Sequence, residues 1–464
     1  MATFFSCVLL FKAKREFQLY VGALHLATAK SPDNPYACDT LRVKNKRSAK
    51  QQNPNAGPNP LRPSREMLHY RLQTALSSMK PISLSILLSL LFALAFGQRS
   101  SSAPASGVAQ VETAIPAIIG YTKIAPNSTR PVLLKSYAAY ERQFGGATAN
   151  YYLAESVQLF FQNGGEKCYV ISVGKTSRPI QKQALLNGLS ISKKMSVQLL
   201  LVPDAVALNE SDFYAVQNSM MSICGLMKDR FAILNTRSPS GNSTQDFQAF
   251  RAHTSGSNLS HAAVYYPWLV STSGTSVPPA GAMAGIYASK DRKEGVWKAP
   301  ANVQVQGISG LSHPLSTAAQ NAAATHASGK SINPIVAMPS KGILVWGSRT
   351  LAGNDNEWRY VPVRRFAIMV EQSLEKGLSW AVFEPNNANT WAQVEAFCEA
   401  YLRQLYRQGA LQGAKQDHAF YVKCGLNETM TNNDINQNRM NIEIGMAVVR
   451  PAEFLILRLE LKMQ

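Results

Sequence analysis

From residue 107 onwards, the sequence alternates between apolar runs typical of buried strands and amphipathic segments typical of helices. Val111–Tyr121 is apolar and rich in β-branched residues, which predicts a buried strand. Asn150–Asn163 carries apolar residues at helical spacing, and a glycine pair separates it from a second strand-like run, Cys168–Val173. Helices that alternate with strands in this way indicate an α/β sheet layer.

The same order continues along the chain. Met195–Val202 and Arg230–Asn235 predict strands on either side of a helix at Ser211–Met227, and Tyr137–Phe144 predicts an earlier helix. The polar stretch Asn235–Ser260 predicts a surface loop.

The last third of the sequence is the most strongly patterned. Trp391–Tyr406 carries its apolar residues on one helical face and predicts an amphipathic helix. Two apolar runs, Gly342–Trp346 and Val361–Val370, fit either a strand or a helix. Alternating residues predict three closing strands, at Ala419–Lys423, Met440–Val449 and Phe454–Leu461.

These patterns predict an α/β core domain at residues 107–350 and a C-terminal α/β domain at residues 351–464.

The N-terminal region, residues 1–106, differs in composition. Residues 1–110 hold 14 Lys and Arg against 4 Asp and Glu, so +10 of the net charge of +19 lies in this part. The other charges are mixed, as on an ordinary solvated surface, and we expect no nucleic-acid partner.

Residues 79–97 have the parts of a secretory signal at an unusual position in the chain. A lysine precedes the apolar run Ile82–Gly97, which ends in a small-x-small pattern. The run is shorter than the roughly 18 to 20 residues that span a bilayer, so we expect no stable membrane insertion. Three interpretations stay open: Met79 is a start site, the run is a buried or fortuitous helix, or the region comes from a wrongly chosen or rearranged reading frame.

The reactive residues do not form a recognisable metal or cofactor site. The six cysteines are scattered without a CxxC pair, and the seven histidines lack close ligand spacing. We therefore predict buried free thiols, no metal and no cofactor.

One segment resembles the nucleophile block of subtilisin-like serine proteases. Gly274-Thr275-Ser276 is followed by VPPAGAMAG, but such an enzyme also needs a histidine and an aspartate. The usual upstream blocks for these partners are missing, and the nearest upstream histidines are His253 and His261. A serine hydrolase using Ser276 stays open as an alternative, against a shared α/β architecture without the chemistry.

Two other patterns resemble binding sites but fit a structural role. Ala324–Ser331 ends like a phosphate-binding loop, but it lacks the first glycine and a preceding strand, which favours a solvated loop. The pair Arg364-Arg365 and the pair Arg403/Arg407 suggest a basic stripe. The first pair adjoins a buried-looking strand, and Arg403 and Arg407 lie on one edge of an amphipathic helix. We therefore interpret these arginines as a solvated face or as intersubunit salt bridges.

Twelve stretches between residues 111 and 454 resemble the contractile tail sheath family of phage tails, R-type bacteriocins and extracellular injection systems. In family order they are VETAIPAIIGYT (111–122), YERQFGG (140–146), LFFQNGGEKCYVISV (159–173), KDRFAIL (228–234), AAVYYPWL (262–269), VPPAGAMAGIYA (277–288), GVWKAPANV (295–303), KGILVWGSRTLAG (341–353), EWRYVPVRR (357–365), FEPNN (383–387), YRQGALQG (406–413) and NIEIGMAVVRPAEF (441–454).

The resemblance implies a structural protein without catalytic residues. It implies a sheath-type core with a subtilisin-like α/β layer and a C-terminal α/β domain. Subunits of this family form hexameric rings stacked helically around an inner tube, with baseplate and terminator proteins as further partners. Their location is the bacterial cytoplasm during assembly and then the tail or injection particle.

The resemblance also implies that the terminal strand links subunits. Its proposed contact residues here are Phe454, Ile456, Arg458 and Glu460. On this interpretation, deletion of residues 455–464 removes little core and leaves the monomer folded. The family's short N-terminal arm is replaced by SSSAPASGVAQ, which puts normal N-terminal linkage in question. A secreted or tethered relic that does not assemble stays open on the basis of residues 79–97.

Overall fold

The computed structural model describes residues 107–237, 239–450 and 452–464. The described residues belong to one compact unit. The predictions for residues 1–106, including the secretory-type segment at 79–97, lie outside the described residues.

The strands of the described residues make one large sheet and two small ones. In chain order they are β1 (Pro116–Thr122), β2 (Val132–Leu134), β3 (Cys168–Lys175), β4 (Leu199–Leu201), β5 (Phe231–Asn235), β6 (Ala262–Tyr266), β7 (Leu269–Ser271), β8 (Ser276–Val277), β9 (Val303–Gln304), β10 (Ile308–Leu311), β11 (Asn333–Met338), β12 (Gly342–Val345), β13 (Phe420–Lys423), β14 (Arg439–Met446) and β15 (Leu455–Lys462). The large sheet has the order β2-β3-β1-β4-β5-β6-β11-β12-β9, and β3, β1, β4, β5, β6 and β11 run parallel.

The α-helices cover both faces of the large sheet, and three of them lie in the C-terminal part. They are α1 (Tyr137–Phe144), α2 (Leu153–Gln162), α3 (Lys182–Ser192), α4 (Glu210–Met227), α5 (Ser243–His253), α6 (Ala280–Glu294), α7 (Thr317–Ala324), α8 (Val361–Gly377), α9 (Ala388–Arg407) and α10 (Asn432–Asn436). The mixed α/β class predicted from the sequence is confirmed. The likeness of the layer to subtilisin stays a prediction.

The central strands are apolar throughout because helices cover the sheet on both sides. All seven residues of β1 are buried, and the adjacent Ile118 and Ile119 belong to hydrophobic clusters on opposite faces. Helices α3, α4, α5 and α7 pack on the face of Ile119, and α1, α2 and α6 on the face of Ile118. The sheet is therefore the middle layer of three.

A third hydrophobic cluster holds the C-terminal part together. Helices α8 and α9 pack against the small sheet β13-β14-β15, and the cluster draws almost all its residues from positions after 360. The predicted apolar face of α9 is confirmed, since Val394, Tyr401 and Leu405 are buried in this cluster. The domain boundary between residues 350 and 351 stays a prediction.

Two predictions of secondary structure are corrected. The polar stretch 235–260 contains helix α5 and is not a loop throughout. Its start is capped by Asn242, whose side chain accepts hydrogen bonds from two backbone N–H groups, and Phe247 and Phe250 are buried one turn apart. The segment after Tyr360 is helix α8, with a proline in its first turn, so the strand assumed beside Arg364 is wrong.

The carboxyl edge of the sheet is closed by a buried carboxylate. Asp204 accepts hydrogen bonds from the N–H of Tyr121 at 2.6 Å and from the N–H groups of Tyr152 and Leu153 at 2.6 and 3.1 Å. The last two donors lie at the start of α2, which has no cap from its own flanking side chain. A Cβ at Gly120 would lie 2.4 Å from the carboxylate, so the strand needs glycine there.

In open α/β sheets the carboxyl ends of the strands, where the strand order reverses, are the usual place for a ligand. Here the reversal lies beside β1, and Asp204 fills it. This side chain therefore joins two parts of the fold where other proteins of this architecture bind small molecules.

We expect Asp204→Asn to lower the free energy of unfolding at pH 4.5 by about 1–3 kcal/mol, because an amide nitrogen cannot accept the backbone N–H. Burial raises the pKa of Asp204 to about 6. A folded-state pKa above the unfolded value means that wild-type stability falls as the pH rises from about 4 to 6. This fall should be smaller in Asp204→Asn.

Urea unfolding at pH 4.5, 5.5 and 7 measures both effects. Asp212→Asn is the control, because the pKa of this exposed carboxyl is lowered, so it titrates below this window. Equal slopes in wild type and Asp204→Asn would contradict the assignment.

Candidate functional site

The terminal strand β15 forms one edge of the small C-terminal sheet. It pairs antiparallel with β14 along eight residues, from Leu455 opposite Met446 to Lys462 opposite Arg439. Its other side faces no strand among the described residues. An eight-residue edge strand presents backbone N–H and C=O groups that can pair with another strand.

The two faces of β15 differ in chemistry. The side chains of Leu455, Leu457, Leu459 and Leu461 are buried in the C-terminal cluster, whereas those of Ile456, Arg458, Glu460 and Lys462 are exposed. A shift of one residue would place the charges in the core, so the register of β15 is strongly specified.

The exposed face contains three of the four predicted linking residues. Ile456, Arg458 and Glu460 lie in one row, and Phe454 precedes the strand. The ring of Phe454 packs edge-on against Tyr421 at 5.1 Å, and Tyr421 lies over Gly445, where a Cβ would meet the ring at 2.1 Å. This end of the outer face is therefore aromatic and apolar.

The other end of the outer face is charged. Arg458 pairs with Glu443 on β14 at 3.2 Å, and the hydroxyl of Tyr421 donates a hydrogen bond to the same carboxylate at 3.1 Å. Because Arg458 is 77% exposed, this ion pair contributes at most about 1 kcal/mol to stability. Its charges remain accessible to a partner surface.

The expectation that residues 455–464 contribute little core is wrong. Four leucines of β15 and Met463 are buried in the C-terminal cluster of this chain. Deletion of the strand would remove these five side chains and expose the cluster residues that pack on them, so the monomer would lose stability as well as a linking surface. The assignment of the outer residues to a subunit contact stays a prediction.

A buried ion pair joins the C-terminal part to the large sheet. Arg365 of α8 donates two hydrogen bonds to Asp291 of α6, at 2.9 and 2.5 Å, and a third to the carbonyl of Thr113 at 3.0 Å. The hydroxyl of Thr113 donates to Asp291 at 2.5 Å. Both charged side chains are more than nine-tenths buried, and we call these three residues the Arg365 clamp.

Aromatic residues complete the surroundings of the clamp. The guanidinium of Arg365 lies 4.5 Å from the centre of the Tyr287 ring, and Tyr287 shares a buried hydrogen bond of 2.7 Å with Tyr265 on β6. The clamp thus connects α8, α6 and the segment before β1. The solvated or intersubunit role expected for Arg365 is wrong, because its partners lie within its own chain.

The comparisons with known proteins agree with this architecture. Residues 179–351 match the phage tail sheath protein central domain, and residues 353–462 match the phage tail sheath C-terminal domain. The sheath of an extracellular contractile injection system, the PVC complex in its contracted state, is 31% identical with a TM-score of 0.63. The match covers 78% of this chain and 95% of that one. The chain belongs to the contractile tail sheath family.

Two further relatives of this sheath protein show the same relationship. The helical sheath of the anti-feeding prophage in its contracted state is 31% identical, with a TM-score of 0.61 and coverage of 78% of this chain and 97% of that one. A prophage major tail sheath protein of Pseudomonas aeruginosa is 28% identical over 145 residues, which is 31% of this chain. That alignment spans only 37% of the Pseudomonas protein.

The subtilisin-like segment of the sheath protein has a packing role. Ser276 is exposed on β8, and within the described residues no hydrogen bond joins it to a histidine. His253 stacks on Tyr214, and His261 contacts Arg364. Among the described residues, a serine protease triad is therefore not assembled around Ser276.

The glycines of the same segment explain its sequence. A Cβ at Gly281 would lie 2.3 Å from the carbonyl oxygen of Ser156, and a Cβ at Gly285 would lie 2.3 Å from that of Phe160. Helices α6 and α2 therefore approach so closely that only glycine fits at these two positions.

The loop at 324–331 and Arg403 have structural contacts. The loop at 324–331 follows helix α7, and Lys330 donates its amine to the carbonyl of Arg251 at 2.6 Å. The order of helix, loop and strand is the reverse of a phosphate-binding loop. Arg403 pairs with Glu399 at 3.5 Å on the surface of α9, as expected for a solvated face.

The described residues contain neither a metal-binding cluster nor a membrane-spanning helix. No group of three or more His, Cys, Asp or Glu could hold a metal ion. No helix there is long and apolar enough to cross a membrane. Cys168, Cys224, Cys398 and Cys424 are buried free thiols, as predicted for them, and burial raises the pKa of each thiol.

We expect Arg365→Met to lower the free energy of unfolding by about 3–5 kcal/mol, because it leaves the carboxylate of Asp291 buried without its partner. The double variant Arg365→Met/Asp291→Leu should recover much of this loss, since it removes both charges. Arg403→Met is the matched control and should change stability by less than about 1 kcal/mol. Denaturant unfolding measures the stability of all three variants. If Arg365→Met is as stable as the double variant, the stabilising role assigned to the clamp is wrong.

Proposed function

We propose that this sheath protein polymerises with copies of itself into hexameric rings stacked helically around an inner tube. On contraction the sheath would drive the tube through a target envelope, with baseplate and terminator proteins at its ends. Assembly would take place in the bacterial cytoplasm, and the product would be a tail or injection particle. The chain would act without catalysis.

The observation that carries the proposal is the likeness to whole sheath subunits. The chain covers 95% of a sheath subunit at 31% identity, and the solved assembly is a contracted sheath complex. The free edge and the exposed outer face of β15 support the same conclusion, because strand addition at such an edge joins chains through backbone hydrogen bonds.

The clamp supports a mechanical role. Contraction moves subunits as rigid bodies, so load applied to the C-terminal sheet must reach the large sheet of the same chain. A buried bidentate pair, with α8 and α6 on its two sides, resists sliding of these elements. The linking surface and the load-transmitting contact would thus lie in different places.

We expect Ile456→Asp/Glu460→Lys to prevent long sheaths while leaving the monomer folded, because both side chains are exposed in the free chain. Ile124→Asp is the matched control, since Ile124 is also an exposed apolar residue, at 55%, beyond the carboxyl end of β1. Electron microscopy and sedimentation measure assembly, and circular dichroism checks the fold. Normal sheaths from the double variant would show that β15 does not link subunits.

The hydrolase alternative has a separate test. We expect no covalent labelling of the purified protein by a fluorophosphonate probe, and unchanged assembly in Ser276→Ala, because no histidine is hydrogen-bonded to Ser276 in the described residues. Labelling that disappears in Ser276→Ala would establish a serine hydrolase.

The secreted relic rests on residues 79–97, outside the described residues. A mature protein that begins near Gln98 and does not assemble would favour that alternative.

A further inference from the structure

A cavity of about 360 Å³ lies between the amino ends of two central strands and helix α8. Its apolar lining comes from the segments before β1 and β4, the last residue of α4, the start of β5 and helix α8, namely Val111, Met195, Met227, Phe231, Ile368 and Met369. Methionine side chains adapt to the shape of an inserted group, which suits a cavity that receives a side chain from elsewhere.

The rim of the cavity carries unpaired positive charge. Lys193, Lys194 and Lys376 border it, and none of them forms an ion pair within the part of the chain that the structure describes. The two acidic residues at the cavity already have partners, since Asp229 pairs with Arg230 and Glu112 with Lys167. The cavity therefore favours an apolar group with a negative charge beside it.

One exposed corner of the same chain has this chemistry. Phe383 ends a short 3-10 helix at 71% exposure, the highest value among the large apolar side chains of the described residues. Glu384 follows it, is exposed, and forms no ion pair in the described ranges. The buried Leu378 and Ala381 hold the opposite side of this helix in the core, so the corner is presented rigidly.

We propose that Phe383 of one copy inserts into the cavity of a neighbouring copy, with Glu384 facing the lysine rim. The inference rests on the proposed function, in that it assigns a subunit contact other than the free edge and outer face of the terminal strand. The inserted group and the cavity are different surfaces of one chain, so the contact is head-to-tail. Contacts of this kind repeat from copy to copy and build open helical arrays or rings.

The test places a benzophenone amino acid at position 383 of the full chain and mixes it with isotope-labelled wild type. Cross-linked peptides that join position 383 of one chain to residues 193–198 or 368–376 of the other support the contact. Cross-links confined to other regions overturn it. Because mixed isotopes mark links between chains, this readout does not require complete sheaths.

Matched variants measure the energetics. Phe383→Ser and Lys194→Glu/Lys376→Glu should each weaken self-association by at least about tenfold in sedimentation. Adding Glu384→Lys to the double lysine variant should restore part of the loss. Ile124→Ser and Lys175→Glu, both at the carboxyl edge of the sheet, should have no comparable effect.

The outcomes separate this inference from the proposed function. Sheaths with normal stability from Phe383→Ser overturn the inference and leave the sheath role intact. If self-association weakens only in the lysine variants, another segment occupies the cavity, and this result also overturns the inference. Mapped cross-links in a chain that never forms sheaths support the contact while refuting the proposed function.

Discussion

The Arg365 clamp is the contact on which the arrangement of the described residues depends. Two charges buried in one place are costly unless each is paired and hydrogen-bonded, and here Asp291 and Thr113 satisfy the guanidinium from two directions. The groups come from α8, from α6 and from the segment before β1. The clamp therefore favours one way of docking the C-terminal helices on the large sheet, because any other docking would leave these buried groups without partners.

The surfaces that remain exposed in this docked arrangement are candidates for contacts with other copies. The terminal strand buries four leucines on one side and exposes an apolar and charged row on the other. The cavity beside α8 and the corner at Phe383 lie on the same chain as that strand, with complementary chemistry. On the proposed function, a subunit built in this way would offer more than one contact to its neighbours.

The large sheet has an architecture that is common among enzymes, and here its usual ligand and catalytic positions stabilise the fold. At the reversal of strand order, Asp204 accepts three backbone N–H groups and caps helix α2. Near Ser276, Gly281 and Gly285 bring two helices into contact. Asp204 lies where related architectures bind a ligand, and the segment after Ser276 resembles a nucleophile block. In both places the residues make contacts within the fold.

Much of the fold could be predicted from local patterns. The sequence predicts the helix at Tyr137–Phe144 and the strand at 168–173, because helical and strand periodicities are properties of neighbouring residues. It does not predict helix α5, because the polar surface of that segment outweighs the Asn242 cap and two phenylalanines. The family was also evident from the order of its motifs.

The sequence by itself determined the α/β class, the amphipathic faces and the alternation of the terminal strand. Only the tertiary structure decided that Arg365 is buried while Arg403 is solvated, since both occupy helices rich in apolar residues. It also decided that the leucines of β15 belong to the core of their own chain. The reason is physical: periodicity shows that a face will be buried, but the partner that buries it comes from residues far away in the sequence.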